Sequence, residues 1–515
     1  MLRRFLAIAG GAALYALALP RFDLWPCAWL ALVPLILVVR GRAAGAAVGY
    51  GALAGFVSGW AATWWLAKAV AGYFQAGILI GALAMSAAYA VAVSSAFVLF
   101  ALGARALAGR GGAFAIAALW TACELVRTRI FGQPWGLLGY TQHGEAALLQ
   151  VAALTGVYGV SFLVALGNAA IAEAWWRWRT GTPALRTASA LAAPGALVAA
   201  VWLGGTLVLP PADAGGPELP RVAVVQSNVQ PAFHWTRAHA EEQLLANLRL
   251  TDRLAGQHPA LVVWPENAVT LYLEQEPYIA DQLRRAAARQ GFDLLVGGPR
   301  FADGHTYNSA RLLHPDGRPG AAYDKQRLVA FAEAPPFEHS ADARRDESPR
   351  AFSAGTLPGV LRSFAPLAVS ICHELLYPDV INPGVAAGGS ILVNLANDGW
   401  LDGGYGVGGS QHFAMGVLRA VETRRYLVRA STTGVSAIVD AWGRVLASQP
   451  PDGVGIAVAG VAPRYDLTPY VRFGDVFAIG CALAVLLVLA RELVPAPRRR
   501  RLVLPVPVDT RTPRR

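Results

Sequence analysis

Seven apolar stretches, a long block of mixed character, then one more apolar stretch: this order points to a helical bundle in lipid with an aqueous domain inserted before its last span. Against a hydrocarbon core roughly 30 Å thick, the apolar stretches lie near residues 5–20, 24–39, 44–66, 77–103, 112–128, 147–174 and 188–209, with the eighth at 474–494. Between the last two, charge rises and apolar residues come in strand-sized bursts. The composition agrees, at 55% hydrophobic and 15% charged, with a mean hydropathy of +0.41. That excludes an average soluble protein. The expected divisions are a membrane domain over 1–215, a folded aqueous domain over 216–470, a last span over 471–496 and a basic disordered tail over 497–515.

A net charge of +11 raises the question of nucleic acid, but Arg and Lys occur in short clusters beside the apolar stretches rather than along one face. With eight spans, Arg3 and Arg4, Arg40 and Arg42, Arg105 and Arg110, Arg177, Arg179 and Arg186, and Arg498 to Arg501 all fall on one side. Since basic residues stay cytoplasmic, both termini are expected inside and the large domain outside. The outward connections hold Lys68, Arg127 and Arg129 but no comparable cluster. The opening "MLRRFLAIAGGAALYALALP" also has the form of a signal peptide, although an uncut first span fits the charge pattern without further assumption. Four cysteines, at 27, 123, 372 and 481, form no CxxC pair and have no zinc-type His spacing. Neither a disulfide framework, a metal nor a cofactor is expected.

Within 216–470 the bursts are rich in β-branched residues: "RVAVVQSN" from Arg221, "ALVVWPEN" from Ala260, "DLLVGGP" from Asp293, "LAVSICHE" from Leu367, "ILVNLAND" from Ile391, and later "GVSAIVD" and "GIAVAGV". Helical stretches intervene at 235–256, 276–290 and 410–427. Strands alternating with helices predict an α/β domain with function on the loops at strand ends.

Three such segments bear one ionisable group each, Glu266, Lys325 and Cys372. A thiol is only a few per cent ionised at neutral pH, so a nucleophilic cysteine needs a base and a positive field. A carboxylate supplies the first, and an ammonium can stabilise both thiolate and oxyanion. Taken singly, each residue has an ordinary reading: a solvated loop glutamate, a surface lysine, a small core cysteine. Glu333 follows Lys325 in "YDKQRLVAFAE". His373 next to Cys372 suggests a dyad, but neighbours on an extended chain point to opposite faces; Glu374, two positions on, can face with the cysteine and help hold the site.

"VVWPEN", "YDKQRLVAFAE", "SICHE" and "NLANDGW", in that order, resemble the carbon-nitrogen hydrolase (nitrilase) superfamily. The flanking spans, with "QSNVQPAFHW", "GQPWGLLGYTQ", "QHFAMGVLRAVETRR" and "LTPYVRFGD", make the chain similar to the apolipoprotein N-acyltransferase family within it. The resemblance implies an αββα sandwich beside about eight transmembrane helices, with Cys372 as nucleophile, Glu266 as general base, Lys325 as oxyanion-stabilising cation and Glu333 as a second carboxylate near the thiol. It implies a bacterial inner-membrane enzyme with its catalytic domain in the periplasm. The acyl chain would pass from the sn-1 position of a phospholipid, typically phosphatidylethanolamine, through a cysteine thioester to the α-amino group of a diacylglyceryl-cysteine on an apolipoprotein. The sequence departs from the family pattern at His373, where an aromatic such as Tyr is common, and at Leu401 and Asp402 in "NDGWLDG".

Trp235, Trp400, Trp135 and Tyr140 lie in segments expected at the outer interface, where they would guide lipid or form an ordinary aromatic belt. Glu124, near the outer end of span five, should face the bundle or water. Two other functions share these features: a membrane-tethered amidase or nitrilase with water as acceptor, and a transporter or receptor whose outer domain only binds ligand. The scarcity of ionisable residues along the spans counts against the transporter.

Overall fold

The computed structural model describes residues 1–67, 71, 78–108, 112–211, 219–231, 235–330, 332–334, 351–402 and 406–493. Lys68, Arg110 and the expected tail at 497–515 lie outside these. Helices occupy all eight apolar stretches: Leu2–Ala18, Val33–Val39 after a short turn at Trp25–Trp29, Ala44–Thr63, Ile78–Leu107, Gly112–Ile130, Val157–Arg179, Ala184–Val208 and Val476–Leu493. Among the described residues, three are both long and apolar enough to cross a membrane: Leu79–Leu107, Val157–Arg179 and Ala184–Val208. The sixth stretch begins with two short helices, Ala146–Leu149 and Ala152–Thr155, before its long one.

Small residues set a close contact between two of these helices. Gly51, Gly55 and Gly59 recur every fourth position on Ala44–Thr63, and a Cβ on Gly55 would come within 2.4 Å of the Ser94 Cα on Ile78–Leu107. Lipid offers no hydrophobic drive for helices to associate, so this close backbone approach supplies the packing.

The inserted domain holds twelve strands among its described residues: β1 (Arg221–Gln226), β2 (Leu261–Val263), β3 (Asp293–Ala302), β4 (His305–Leu313), β5 (Pro319–Asp324), β6 (Val360–Arg362), β7 (Pro366–Ile371), β8 (Ile391–Ala396), β9 (Leu427–Ser431), β10 (Ser436–Val439), β11 (Val445–Gln449) and β12 (Gly455–Gly460). They form two six-stranded sheets, ordered β12-β1-β2-β3-β4-β5 and β11-β10-β9-β8-β7-β6. In each sheet three adjacent strands run parallel, β1-β2-β3 and β7-β8-β9, with antiparallel strands outside them.

Period-two alternation explains the layering. Val222 and Val224 of β1, with Leu367, Val369 and Ile371 of β7, point into one core between the sheets. Ala223 and Val225 point the other way, against helices Arg237–Asp252 and Pro277–Gln290. Ala368 and Leu392 back onto the helices Pro378–Ala386 and Val407–Thr423. This is the nitrilase-like α/β arrangement of two sheets between helical layers. The second helical layer is not exposed: Met415, Leu418 and Val421 share a buried cluster with Trp65, Trp135, Leu148, Val157 and Tyr158 of the membrane region. The sandwich therefore sits against the bundle through a continuous apolar seam.

Candidate active site

Parallel strands present their C-terminal ends on one edge of the sandwich, and the loops there collect the ionisable groups. Glu266 lies three residues beyond β2, Lys325 directly follows β5 and Cys372 directly follows β7. All three are buried, with relative exposures of 4%, 1% and 8%. Lys325 Nζ lies 3.0 Å from Glu266 Oε1 and 2.8 Å from Glu333 Oε1. Asn308 Nδ2, on β4, donates to the same two oxygens at 2.8 and 2.7 Å. The Val329 N–H donates to the other Glu333 oxygen at 2.8 Å. Two carboxylates thus share one ammonium and one amide, an arrangement that pins all four side chains.

This geometry determines the resting charge. Burial alone would push the Lys325 ammonium toward neutrality, but the attraction of Glu266, then Glu333 and Cys372, outweighs it and holds the group well above its ordinary pKa. For Cys372, burial and then Glu266 push the thiol well above its ordinary value, with Lys325 opposing. A cation and two carboxylates leave the cluster one negative charge in excess, so a separate thiolate is disfavoured. Moving the thiol proton onto a carboxylate keeps the total charge constant. The site can therefore do general-base chemistry on sulfur without importing or losing a proton.

Cys372 does not lie on an extended strand. The strand ends at Ile371, and Cys372–Leu376 is a single 3-10 turn whose first residue has φ +53°. A left-handed conformation is unfavourable for a residue with a Cβ, and it swings the side chain off the sheet. The strand-alternation argument for His373 and Glu374 is corrected accordingly. Glu374 instead anchors the turn, accepting from the backbone N–H groups of Gln326 (2.7 Å), Arg327 (3.0 Å) and Ile371 (2.7 Å), and from the Tyr323 hydroxyl at 2.9 Å. It ties the Lys325 loop to the Cys372 turn. His373 packs edge-on to Tyr377 with ring centroids 5.8 Å apart, and burial followed by the Lys325 charge pushes its imidazole well below the ordinary value. A neutral His373 cannot supply positive field to the sulfur.

The expected lipid-guiding aromatics are distributed differently. Trp135 and Tyr140 are buried in the seam, where Trp135 stands edge-on to Trp65 with centroids 5.0 Å apart. Residues 133–142 are all buried, so this connection is packed beneath the sandwich rather than laid on the outer interface. Both side chains are covered by their neighbours in this seam. Trp235 is half-buried just before Arg237–Asp252. Trp400 belongs to the short helix Gly399–Asp402, its side chain outside the described set. Glu124 faces the bundle interior, accepting from the Leu138 N–H at 2.7 Å. Arg129 pairs with Asp475 at the foot of the last helix.

Several residues of the site were not anticipated. Asn308 gave one weak sign, a short amide in the middle of a strand where Asn is depleted. Asn394 and His412 hold the Cys372 carbonyl, and Asp398 and Arg429 stand behind His412. Asn394 Nδ2 lies 3.2 Å and His412 Nε2 3.1 Å from that oxygen. Asp398 and His412 lie within recognisable strings, but nothing in those strings says what they touch.

The comparisons with known proteins follow the same division. The profile for the apolipoprotein N-acyltransferase N-terminal domain matches residues 11–170, and that for carbon-nitrogen hydrolase matches 221–470. Proteins named apolipoprotein N-acyltransferase are similar along the whole chain. The one from Geobacter metallireducens is 30% identical, covering 95% of each chain. That from Pseudomonas aeruginosa is 32% identical over 96% of this chain and 97% of its own, and that from Azotobacter vinelandii 34% over 91% of each. Among solved structures, a mutant of the Nesterenkonia AN1 amidase from the nitrilase superfamily aligns over 53% of this chain and 97% of its own, at 19% identity and a TM-score of 0.39.

Proposed function

The chain belongs to the apolipoprotein N-acyltransferase family, and from that premise we propose that its buried cluster moves a fatty acyl chain from a phospholipid to the N terminus of a lipoprotein. The protein is a membrane acyltransferase. Cys372 is the nucleophile, Glu266 the general base and Lys325 the oxyanion cation. The observation that carries this reading is the single ammonium held between Glu266 and Glu333 beside a strained, buried cysteine.

In the first half-reaction the Cys372 sulfur attacks the sn-1 ester carbonyl while Glu266 takes the thiol proton. Lys325, joined by the His373 backbone N–H, meets the oxyanion. As the intermediate collapses, Glu266 returns the proton to the departing oxygen, giving a thioester and a lysophospholipid. In the second half the α-amino group of a diacylglyceryl-cysteine attacks the thioester. Glu266 accepts the amine proton and delivers it to the leaving sulfur, and the amide and the free thiol are formed. Glu333 and Asn308 keep Lys325 and Glu266 in register throughout.

Phosphatidylethanolamine is the proposed donor. The one-sided Arg clusters support eight spans with cytoplasmic termini and the large domain on the far side, and the family supports inner-membrane residence with a periplasmic catalytic domain; the proposed domain limits are 1–215, 216–470 and 471–496. The test uses purified full-length protein with a fluorescent phospholipid. A thioester-linked acyl adduct should form on the wild type, sensitive to hydroxylamine, and a lipopeptide should then acquire an amide-linked chain. Cys372→Ala should abolish both, and an adduct that persisted on this variant would sink the assignment.

A further inference from the structure

Helix Val407–Thr423 touches the cysteine turn near one end and the membrane bundle at several points. Near its start, His412 Nε2 lies 3.1 Å from the Cys372 carbonyl oxygen. A carbonyl only accepts, so this nitrogen carries the proton. The other ring nitrogen is set by a buried pair: Asp398 Oδ1 at 2.9 Å and Arg429 Nη2 at 3.0 Å, with Arg429 Nη2 also 2.7 Å from Asp398 Oδ2. Burial and then the Arg429 charge lower the His412 pKa, with Asp398 opposing; whichever group meets Nδ1, the Nε2–H remains the donor to the carbonyl. The ring also packs beside Trp135 of the bundle, centroids 6.1 Å apart.

The same helix grips the membrane region at three further places. Gln411 Nε2 donates to the Ala62 carbonyl at 3.0 Å, at the end of Ala44–Thr63. Arg419 Nη2 lies 3.4 Å from the Tyr140 hydroxyl. Ten residues after His412, Glu422 Oε1 accepts at 2.8 Å from the N–H of Val157, the first residue of the helix Val157–Arg179. Carboxylate at a helix N terminus satisfies an orphan donor and the helix dipole together. Arg419 completes the contact at 2.9 Å from the same oxygen. Gln411, His412, Arg419 and Glu422 are all at least 98% buried.

We infer that Val407–Thr423 is a strut through which the membrane bundle holds the Cys372 turn in its left-handed conformation, with His412 as the positioning residue at the working end. The bundle is then part of the catalytic geometry as well as an anchor. His412 touches no reacting atom. Its effect runs through the Cys372 carbonyl, which must stay turned toward Asn394 and His412 for the sulfur to face Glu266 and Lys325. The inference rests on Cys372 being the nucleophile.

The test compares substitutions in the full-length protein, reading both acyl transfer and the rate at which chloroacetamide alkylates Cys372, mapped by mass spectrometry. His412→Phe keeps a ring against Trp135 but has no donor, whereas His412→Gln keeps an N–H donor without the ring. The expected result is a tenfold to hundredfold lower kcat and alkylation rate for Phe at near-unchanged KM, and rates within about fivefold of wild type for Gln. A role in packing alone predicts the reverse order. The far end is tested by Arg419→Met with Glu422→Leu, which replaces a buried ion pair by apolar groups of similar volume, an exchange that often preserves stability. Cys372 alkylation should fall at least threefold. Wild-type rates in the Phe variant, equal losses in Phe and Gln, or unchanged alkylation in the double variant would each overturn the strut. Activity surviving in Cys372→Ala would instead overturn the nucleophile assignment, so the two failures are distinguishable.

Discussion

Replacing Lys325 by Met should do more than remove an oxyanion donor. The first loss is direct: one preorganised donor at a developing oxyanion is worth about 3 kcal/mol, or roughly a hundredfold in rate. The second comes from the two carboxylates left behind. Glu266 Oε1 and Glu333 Oε1 both lie against Asn308 Nδ2, at 2.8 and 2.7 Å, so they are no more than about 5.5 Å apart. At an effective dielectric near 20, two unit charges at that separation repel by about 3 kcal/mol. Without the ammonium between them the two carboxylates are pushed apart, and Glu266 loses the placement that lets it take the thiol proton.

Lys325→Met should therefore lower the rate of acyl-enzyme formation by about 10³- to 10⁴-fold at pH 7. The assay is burst formation of the Cys372 adduct from a fluorescent phospholipid under single-turnover conditions. A loss of less than tenfold would refute Lys325 as the oxyanion cation. A loss of no more than about a hundredfold would refute the contribution from the displaced carboxylates.

Other perturbations test the supporting residues. Glu374→Gln sets an NH2 group against donors that now face only oxygen, and leaving such groups unmatched costs about 3 kcal/mol. The melting temperature and the acylation rate should fall together, whereas an unchanged Tm would show that Glu374 does not anchor the turn. His373→Ala should leave acyl-enzyme formation within about threefold and alter the preference among phospholipids, because the proposed contribution of this residue to the oxyanion comes from its backbone N–H. Abolished acylation would contradict that. Burial pushes the Glu422 carboxyl up to about 7, with Arg419 opposing. An unfolded glutamate titrates near 4.3. Because the folded value is the higher one, this group's stabilisation is complete below about pH 4.3 and is lost as pH rises to about 7, a span of about 4 kcal/mol. Glu422→Gln should remove that part of the decline in Tm between pH 5 and 8, and identical slopes for the two proteins would rule it out.

Strands with several successive apolar residues were legible because each is buried on both faces. The bursts at Arg221, Ala260, Asp293, Leu367 and Ile391 correspond to β1, β2, β3, β7 and β8. Strands with polar residues in their interior were not. β4 reads "HTYNSARLL" and β5 "PGAAYD", with little apolar periodicity, and β9 hides Arg429 on a fully buried strand. That arginine belongs in the core because Asp398, from the loop after β8, meets it. A pairing of that kind depends on register between β8 and β9, and register is a property of the sheet rather than of either segment.

The same distinction separates the parts of the site. Glu266, Lys325 and Cys372 follow strand segments whose polar ends are visible in one dimension, so their chemistry could be anticipated from residue type. Asn308, Glu374 and His412 act through hydrogen bonds closed across 42, 48 and 40 residues, and none of those partners is implied by its neighbours in the chain. The φ of Cys372 shows why they are needed. A left-handed residue with a Cβ carries about 1–2 kcal/mol of strain, and a 3-10 turn of five residues cannot impose it alone. Glu374 holds the N–H side of the turn through Ile371, and Asn394 and His412 hold the carbonyl of Cys372 itself. With both sides of the peptide fixed, the sulfur is held where the charges of Glu266 and Lys325 act on it.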